Sequence, residues 1–512
     1  MSSWGRRLAF VLVALIAGTA GIVAGGSPEQ PAPFSRSRWL AERAGTFLSS
    51  RGLLPATEPL SAALLQAPAF VPELPAKARP TWTRVSLDIL APDGGQGQPE
   101  TQAEPYLAID PAKETRLLAA YQEGRFANGG ARALTYAWSK NGGRTWTEAL
   151  VPGLTHVSGG AFEKASDPWV AFGPGGRAYY CSLLFNETNP DNGIYVSVSK
   201  NGGRSWGPPV AVHTGDIRNF DDKQAIVVDN YSDSPYRGRI YVGWDTVVSN
   251  EAGTAVMLQI ERMAWSGDGG ASYSPAIDLE RDGMNIGVIP LVGPGGVVHA
   301  VWAHMDTAQS PLVLHASRSE DGGVTWSEPV QIAQMQVAGV RFQRSGDILP
   351  TAAVDPRTGR LYVAWMDGRF TSGVAQVALS RSDDGGRTWS APQRVSDGPG
   401  DAPSYTPALA VSGDSRVAVS YYSLRNDPSR LFLVDLYAVT SRDGVNFGGS
   451  RRVSSTSFDV RFAAVAQELF LGDYQGLVGG SKSFYALWIG TLERSRLDSS
   501  EKQPDAFVSK IK

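Results

Sequence analysis

The 512-residue chain has very little cysteine, and its single thiol, Cys181, excludes an internal disulfide framework. Cys181 lies in the apolar run RAYYCSLLF, where we expect a buried and inert thiol. The chain also lacks a strong excess of charge of either sign, because 47 Lys and Arg residues against 50 Asp and Glu residues leave a formal net charge of −3. No basic footprint is present, so a nucleic-acid partner is not predicted.

Long helical patterns and several common enzyme signatures are missing as well. The sequence contains no Ser-His-Asp arrangement and no phosphate-binding loop. The five histidines are scattered, and His299 and His304 face opposite sides of one predicted strand, so we predict no metal site and no cofactor. The turn Val228–Gly238 has oxygen donors suited to Ca²⁺ but no ordered ligand spacing, and we interpret it as a plain turn.

What the chain does contain is a short segment that occurs six times, at intervals of 53 to 67 residues. Each copy follows an alternating apolar run and precedes a shorter one, which is typical of a strand, a turn and a second strand. In each turn an Asp or Asn can accept backbone N–H bonds, glycine supplies positive φ, and the final aromatic ring packs on the sheet. The copies are WSKNGGRTW (Trp138–Trp146), VSKNGGRSW (Val198–Trp206), WSGDGGASY (Trp265–Tyr273), SRSEDGGVTW (Ser317–Trp326), SRSDDGGRTW (Ser380–Trp389) and TSRDGVNF (Thr440–Phe447).

This segment resembles the Asp box, S-x-D-x-G-x-T-W, of the sialidase-like β-propellers, and the resemblance covers most of the chain after about residue 80. Two further repeated segments accompany each copy, with EPYLAIDP (Glu104–Pro111) and RLYVAWMDGR (Arg360–Arg369) as examples. Each repeat therefore contains four strands, which is the content of one propeller blade.

The strand count predicts how the ring closes. Six full repeats run from Glu104 to about Ser455, and three more strands follow without an Asp box. The segment Thr83–Leu90 can supply the missing outer strand, because closure by strands from both termini removes an exposed sheet edge. We therefore predict an all-β fold, a β-propeller of four-stranded antiparallel blades with seven blades; the alternative is six, the number in the sialidases.

The N-terminal region predicts export. Residues 1–26 combine Arg6 and Arg7 with a 19-residue apolar run that ends in small residues, which is typical of a secretory signal peptide or, if uncleaved, of a membrane anchor. In either case the remaining chain is exported and is secreted, periplasmic or anchored, with membrane contact only through this segment. Residues 27–80 are interpreted as a Pro/Ala-rich linker with room for one short helix, and residues 81–512 as the Asp-box β-propeller, which we expect to be a monomer.

Blade topology brings two sets of charged residues to one face of the predicted ring. One set consists of arginines nine residues after the arginine that opens a second strand, namely Arg125, Arg369 and Arg425. The other set lies at or near the start of the innermost strands, namely Glu104, Asp167, Asp222, Asp347, Asp401 and Asp473. Guanidinium groups hold carboxylates through paired N–H donors, and a carboxyl group can protonate a leaving oxygen, so these sets predict an anionic sugar as ligand.

The family resemblance implies more specific roles. Sialidases use an arginine triad for the substrate carboxylate, a Tyr nucleophile assisted by Glu, and an Asp acid/base. The matching residues here are Arg125, Arg369 and Arg425 with Asp473 for binding, Tyr474 as nucleophile with Glu468 or Glu104 as helper, and Asp167, Asp222 or Glu104 as the acid. The family's Phe/Tyr-Arg-Ile-Pro motif is absent.

Two functions are consistent with this pattern. The first is an exported glycoside hydrolase of exo-α-sialidase type that acts on anionic, sialic-acid-type glycans. The alternative is a non-catalytic propeller that binds glycans or cell-surface proteins, because a repeat scaffold does not by itself imply catalysis.

Overall fold

The structure is a computed structural model that describes residues 82–90, 97–251, 255–307, 310–491 and 503–512. The predicted signal or anchor segment, 1–26, and the predicted linker, 27–80, lie outside the described residues. Within the described ranges, no helix is long and apolar enough to cross a membrane. The fold there is all-β, as predicted, and its helical structure consists of short 3₁₀ turns at His156–Ser158, Pro174–Gly176, Pro294–Gly296 and Val460–Phe462.

The strands are numbered in chain order. Strands β1 to β17 are Trp82–Arg84, Gln102–Ile109, Leu117–Arg125, Ala131–Ser139, Thr147–Leu150, Lys164–Phe172, Ala178–Phe185, Asn192–Ser199, Val210–Gly215, Asn219–Val228, Ile240–Ser249, Val256–Ser266, Ile277–Glu280, Met284–Val292, Val298–Met305, Val313–Ser319 and Val330–Gln334. Strands β18 to β32 are Gln343–Arg344, Thr351–Val354, Leu361–Asp367, Gln376–Ser382, Gln393–Arg394, Ser404–Val411, Val417–Ser423, Leu433–Ser441, Arg451–Arg452, Phe458–Asp459, Ala464–Ala466, Glu468–Phe470, Gly476–Gly479, Phe484–Gly490 and Asp505–Ile511.

Most strands belong to antiparallel units of four, numbered one to seven in chain order. Units one to six begin at β2, β6, β10, β14, β19 and β23, and unit seven consists of β30, β31, β32 and β1. Short pairings join unit one to unit two, at Ala131 and Ala165, and unit three to unit four, at Gln259 and Met284. Strands β18, β28 and β29 form a separate three-stranded sheet, termed the cap sheet, and β27 pairs with β25.

The two ends of the described chain meet in unit seven. Strand Trp82–Arg84 pairs antiparallel with Phe507–Ser509, and the Val85 N–H donates to the Ala506 carbonyl at 2.7 Å. The sequence predicted this pairing for the segment 83–90; the paired strand begins one residue earlier and ends at Arg84, so it is shorter than predicted. The first strand of each unit contacts the first strand of the next, and the first strand of unit seven contacts that of unit one.

The Asp-box turns have the predicted hydrogen bonds. The carboxylate Oδ1 of Asp384 accepts from the N–H of Thr388 at 2.9 Å, and Ser382 Oγ accepts from the N–H of Gly386 at 2.8 Å. Gly386 has a φ of 85°, a conformation that glycine adopts without a steric penalty. The shorter last copy keeps the same cap through Asp443, whose Oδ1 accepts two backbone N–H bonds. These local bonds turn the chain between the third and fourth strands.

Large apolar side chains fill the spaces between units. Four tryptophans from second strands are 0% exposed, namely Trp244, Trp302, Trp365 and Trp488. Cys181 lies in β7 and is also fully buried, as predicted, and its burial raises the pKa of the thiol. Since each of these side chains packs within or beside its own unit, the core is distributed around the structure in several clusters.

The variant Phe507→Ala tests the contribution of the terminal strand. The buried Phe507 ring lies 4.8 Å from Trp82 and 5.0 Å from Trp488 between ring centroids, so its truncation leaves a cavity where the chain ends meet. We expect the free energy of unfolding to fall by about 3–5 kcal/mol in a denaturant titration. Lys510→Ala, at an exposed position of the same strand, should change it by less than about 0.5 kcal/mol. Equal losses of unfolding free energy in Phe507→Ala and Lys510→Ala would contradict a specific stabilising role of the Phe507 ring.

Candidate functional site

A β-bulge recurs at the same level in the first strands of several units. Glu104, Asp167, Lys223 and Thr406 lie in these bulges with φ values of 52°, 51°, 46° and 46°. Gly287 takes the same place in unit four with a φ of 80°. A left-handed backbone costs a residue with a side chain about 1–3 kcal/mol, and such conformations cluster at functional sites. A bulge also changes the direction in which its side chain points, and here this brings charged groups from neighbouring units together.

Lys223 is the centre of the resulting cluster. Its ammonium group lies 2.6 Å from Asp167 Oδ1, 3.8 Å from Glu104 Oε1 and 3.9 Å from Asp473 Oδ2, and all four side chains are buried. Burial by itself disfavours the ammonium, but the three carboxylates outweigh that effect and raise the pKa of Lys223. The lysine therefore stays charged and holds three acids from three units around one cation.

Two guanidinium groups complete this cluster. Arg344, from the cap sheet, binds both oxygens of Asp473, with Nε 3.0 Å from Oδ1 and a second bond from Nη2 to Oδ2. Arg125 Nη1 lies 4.0 Å from Glu104 Oε2, and both guanidinium groups lie over the ring of Phe470, at 4.7 and 4.8 Å from its centroid. With Lys223, these arginines place three cationic groups among the three buried acids.

Burial gives the acids of this region unusual proton affinities. It raises the pKa of Glu104 to about 8, with the charge of Asp167 adding to the effect. The same two causes raise the pKa of Asp222 to about 7, and burial raises the pKa of Asp347 to about 7. These carboxyl groups therefore exchange protons near neutral pH, which is the range in which a general acid or base is most effective.

A central cavity adjoins the cluster and is surrounded by the first strands. Lys223 and Asp473 line it together with three aromatic side chains, Tyr106, Trp169 and Tyr474. The rings of Tyr106 and Trp169 stack at 3.7 Å between centroids, and Tyr474 lies 5.7 Å from Trp169. Aromatic walls with a few charged groups are typical of small-molecule sites. Other units contribute small or apolar lining residues, among them Gly287, Ala352, Ala408 and Leu477.

Tyr474, the predicted nucleophile, lines this cavity. Its hydroxyl donates to the Pro168 carbonyl at 3.4 Å, and Lys223 Nζ lies 4.4 Å from its ring centroid. Burial, together with the charges of Glu104 and Asp167, raises the pKa of Tyr474 well above its usual value. The phenol is therefore neutral and needs a nearby base before it can attack a substrate. The other predicted helper, Glu468, lies in the cap sheet.

The three predicted arginines are not brought together. Arg125 belongs to the cluster, whereas Arg369 binds its own neighbour Asp367 through Nε at 2.9 Å and Nη2 at 2.8 Å. Arg425 pairs with Asp397 at 3.1 Å and lies over the ring of another side chain, Tyr437. Among the described residues that line the cavity, none is one of these arginines. The expected triad is not formed because local acceptors bind two of its members.

Lys223 and Arg344 were missed at the sequence level. A signal for Lys223 did exist, since the first-strand segments EPY and DPW, at Glu104 and Asp167, align with KQA at Lys223. That alignment places Lys223 in the same bulge as the two acids. Arg344 lies in the cap sheet, outside the repeats, so no repeat pattern indicates it.

No family model matches the sequence, and no curated protein matches it. Matching solved structures include a protein of unknown function from Dyadobacter fermentans, with a TM-score of 0.45, 15% identity, and coverage of 85% of this chain and 100% of that one. A Hadza microbial sialidase matches with a TM-score of 0.43, 16% identity, and coverage of 74% and 73%. The α-L-arabinanase of Penicillium chrysogenum, complexed with arabinobiose, matches with a TM-score of 0.44, 15% identity, and coverage of 67% and 94%.

Sialidases are thus among the matching structures, as the Asp-box resemblance predicted. TM-scores below 0.5 at these identities assign neither an activity nor a substrate to this chain. Any functional conclusion therefore rests on the geometry of the charged cluster and the cavity.

The variant Lys223→Met tests the central cation. Its removal leaves the carboxylates of Asp167, Glu104 and Asp473 buried and close together without their shared partner. We expect the free energy of unfolding at neutral pH to fall by about 3–5 kcal/mol. Lys200→Met, at an exposed position, is the matched control and should be nearly neutral. If both variants unfold at the same denaturant concentration, Lys223 does not hold the cluster together.

The variant Glu104→Gln tests the raised pKa of this buried acid. Because the folded-state pKa of Glu104 is above its ordinary value, the native state binds the proton more tightly, and this contribution to stability is lost as pH rises towards about 8. The wild type should therefore lose stability between about pH 5 and about pH 8.5, and Glu104→Gln should lose less. The exposed Glu320→Gln variant should follow the wild type. Identical pH profiles for all three proteins would contradict the assignment.

Proposed function

We propose that this protein is an exported glycoside hydrolase whose active site is the charged cluster beside the central cavity. One observation carries the proposal. Asp222, a carboxyl group whose pKa is raised to about 7 by burial and by the charge of Asp167, directly precedes Lys223, whose ammonium contacts Asp167 Oδ1 at 2.6 Å. Glycoside hydrolysis needs two carboxyl groups, one of which donates a proton to the leaving oxygen, and a carboxyl group with a pKa raised to near neutrality is suited to that role.

Asp222 is the proposed general acid. It lies next to the bulge of unit three and can donate its proton to the leaving oxygen as the glycosidic bond breaks. Asp167, in the bulge of unit two, is the proposed partner that stabilises the positive charge developing on the sugar ring. A water molecule then adds to that sugar carbon and returns a proton to Asp222, which completes the hydrolysis. The stacked rings of Tyr106 and Trp169 offer an apolar wall against which a sugar can pack.

We propose a sialic-acid-type glycan as the substrate. The support is Lys223, because it is a cationic side chain that lines the cavity. A substrate carboxylate would interact with this ammonium in place of one of the three protein carboxylates. The anionic preference therefore rests on Lys223 rather than on the predicted arginine triad, since Arg369 and Arg425 bind local carboxylates.

The alternative is a non-catalytic propeller that binds glycans or cell-surface proteins. One observation favours it. The carboxylates of Asp167 and Asp473 already have cationic partners, in Lys223 and Arg344. A balanced network of this kind holds neighbouring units together without any chemistry.

The proposal includes the architecture and the location of the protein. We propose that units one to seven are the seven blades of a closed β-propeller spanning residues 81–512, supported by the pairing of Trp82–Arg84 with Phe507–Ser509. The contacts between consecutive first strands also support it. Residues 1–26 are proposed as the export signal or anchor and residues 27–80 as the linker.

Hydrolysis of a fluorogenic sialoside by the purified protein, beside neutral glycosides such as an α-L-arabinofuranoside, tests the function. We expect turnover of the sialoside and a fall in kcat of about 10²- to 10⁴-fold in Asp222→Asn, because the variant cannot donate the proton. Asp233→Asn, at an exposed aspartate in the turn between the first and second strands of unit three, is the matched control and should retain activity. A folded wild type that binds glycans but hydrolyses none would establish the non-catalytic alternative.

The variant Tyr474→Phe separates two assignments of the nucleophile. We expect it to lose less activity than Asp222→Asn, because the hydroxyl contacts only the Pro168 carbonyl among the described residues and its pKa is strongly raised. A loss as large as that of Asp222→Asn would make Tyr474 the nucleophile and would contradict direct attack by water on a sugar ring stabilised by Asp167. The measurement is kcat on the best substrate of the panel.

A further inference from the structure

Unit three carries a row of acidic residues on one face of its sheet. Asp222, Asp245, Glu261 and Glu280 are successive Cα partners on strands β10 to β13. Residues directly opposite each other in antiparallel strands share one face, and like charges in that arrangement repel. The corresponding positions of unit four are apolar, namely Ile286, Ala303, Leu314 and Ala333. The row is therefore a local departure from the repeat.

The two middle acids of this row, Asp245 and Glu261, are buried with few hydrogen bonds to their carboxylate oxygens. Glu261 is 0% exposed and neither of its carboxylate oxygens has a hydrogen-bond partner, although the backbone N–H of Arg262 gives electrostatic support. Asp245 is also 0% exposed; its Oδ2 accepts from Gln259 Nε2 at 2.7 Å and its Oδ1 has no hydrogen-bond partner, although the backbone N–H of Gly287 gives the carboxylate electrostatic support. In the described part of the chain, neither acid forms an ion pair with Lys or Arg. Buried carboxyl groups in this position favour a cation nearby.

The row ends at Glu280, on which two histidines of unit four converge. Glu280 Oε2 lies 2.9 Å from His315 Nδ1 and 3.4 Å from His304 Nδ1. The two imidazole rings stack, with centroids 4.6 Å apart and an interplanar angle of 14°. One ligand atom from each of the three residues lies within 4.8 Å of the other two. Donor atoms from strands β13, β15 and β16 thus meet at the junction of units three and four.

His304 faces an oxygen at each of its ring nitrogens. Asn285 Oδ1 lies 2.8 Å from Nδ1, and Asp306 Oδ1 lies 3.0 Å from Nε2. The orientation of Asn285 is set by its Nδ2, which donates to the carbonyls of Gln259 and Asp282 at 2.8 and 3.0 Å. A neutral imidazole has one N–H, so it can satisfy only one of these oxygens. The other contact is favourable only if a cation, either a second proton or a metal ion, is present.

We propose that Glu280, His304 and His315 bind one Zn²⁺ ion at this junction, with Asn285 Oδ1 as the fourth donor. Two imidazole nitrogens with carboxylate and amide oxygens suit Zn²⁺ better than Ca²⁺ or Mg²⁺, which prefer oxygen ligands alone. The Glu280 oxygen lies 2.9 and 3.4 Å from the two imidazole nitrogens, close to the spacing of about 3.3 Å between ligands of a tetrahedral zinc ion, and binding of one ion requires a stacked imidazole ring to rotate so that both nitrogens face it. The site requires nothing of the proposed hydrolase function.

The surrounding groups are those that orient zinc ligands. A histidine that binds zinc usually donates its other ring N–H to a carboxylate, and Asp306 is placed to accept from His304 Nε2. Trp302 Nε1 donates to Glu280 Oε2 at 2.7 Å and so fixes that carboxylate. The buried acid Glu261, the Cα partner of Glu280, adds negative charge that favours a divalent ion. The bound ion would tie the outer strand of unit three to the second and third strands of unit four.

Metal titration of the untagged protein after removal of metals by a chelator tests this proposal. We expect one equivalent of Co²⁺ to produce the visible absorption of a tetrahedral ion and Zn²⁺ to displace it. Zn²⁺ should also raise the Tm in a concentration-dependent way, because an ion that binds only the native state stabilises it. A wild type that shows no Co²⁺ spectrum and no Tm shift with Zn²⁺ would overturn the site.

Variants locate the site and provide its control. His315→Ala and Glu280→Gln should each lower the Zn²⁺ affinity by at least about tenfold, because each removes or weakens one ligand. His156→Ala removes an exposed histidine elsewhere in the chain and should bind Zn²⁺ like the wild type. Unchanged affinity in both ligand variants would place the ion elsewhere and overturn the assignment. The titration of the wild type decides the matter even if a variant fails to fold.

Discussion

The innermost face of this structure depends on the single ammonium group of Lys223. It lies 2.6 to 3.9 Å from the carboxylates of Asp167, Glu104 and Asp473, which come from units two, one and seven. Ionised acids that are buried around one ammonium group would repel one another strongly, because the protein interior screens charge poorly. One cation among them turns that repulsion into attraction and links first strands that are far apart in sequence. Arg344 extends the same charge balance to the cap sheet.

This balance also determines which groups are available for chemistry. Asp167 and Asp473 contact cations, whereas Asp222, at the edge of the cluster, has a pKa near neutrality. General acid–base catalysis requires a carboxyl group that exchanges its proton near neutral pH, and Asp222 is such a group. Unit three contains both Asp222 and, at the far end of the same row, Glu280 beside two histidines. The residues of unit three with proposed chemical roles thus lie where this unit departs from the repeated pattern.

Much of the scaffold was predictable from sequence because it is encoded locally and repeated. The Asp-box turn needs only a capping carboxylate such as Asp384 and glycines with positive φ, and it folds the same way in each copy. The pairing of the chain ends followed from counting strands and from the cost of an exposed sheet edge. Glu104 and Asp167 were selected because they share one point of the repeat and Asp222 because it lies within a few residues of the equivalent point, and the electrostatic influence of Asp167 reaches both Glu104 and Asp222.

Only the tertiary structure decided which side chains meet. The bulges rotate Lys223 towards acids of other units, and the cap sheet lies outside the repeat, so neither feature has a periodic signature. Arg369 and Arg425 share a sequence position with Arg125, but each is bound by a carboxylate close to it in the fold. The sequence by itself determined the repeat, the turns and the candidate acids, because these depend on residues close along the chain. Partners across units depend on strand adjacency and backbone rotation, which appear only once the chain has folded.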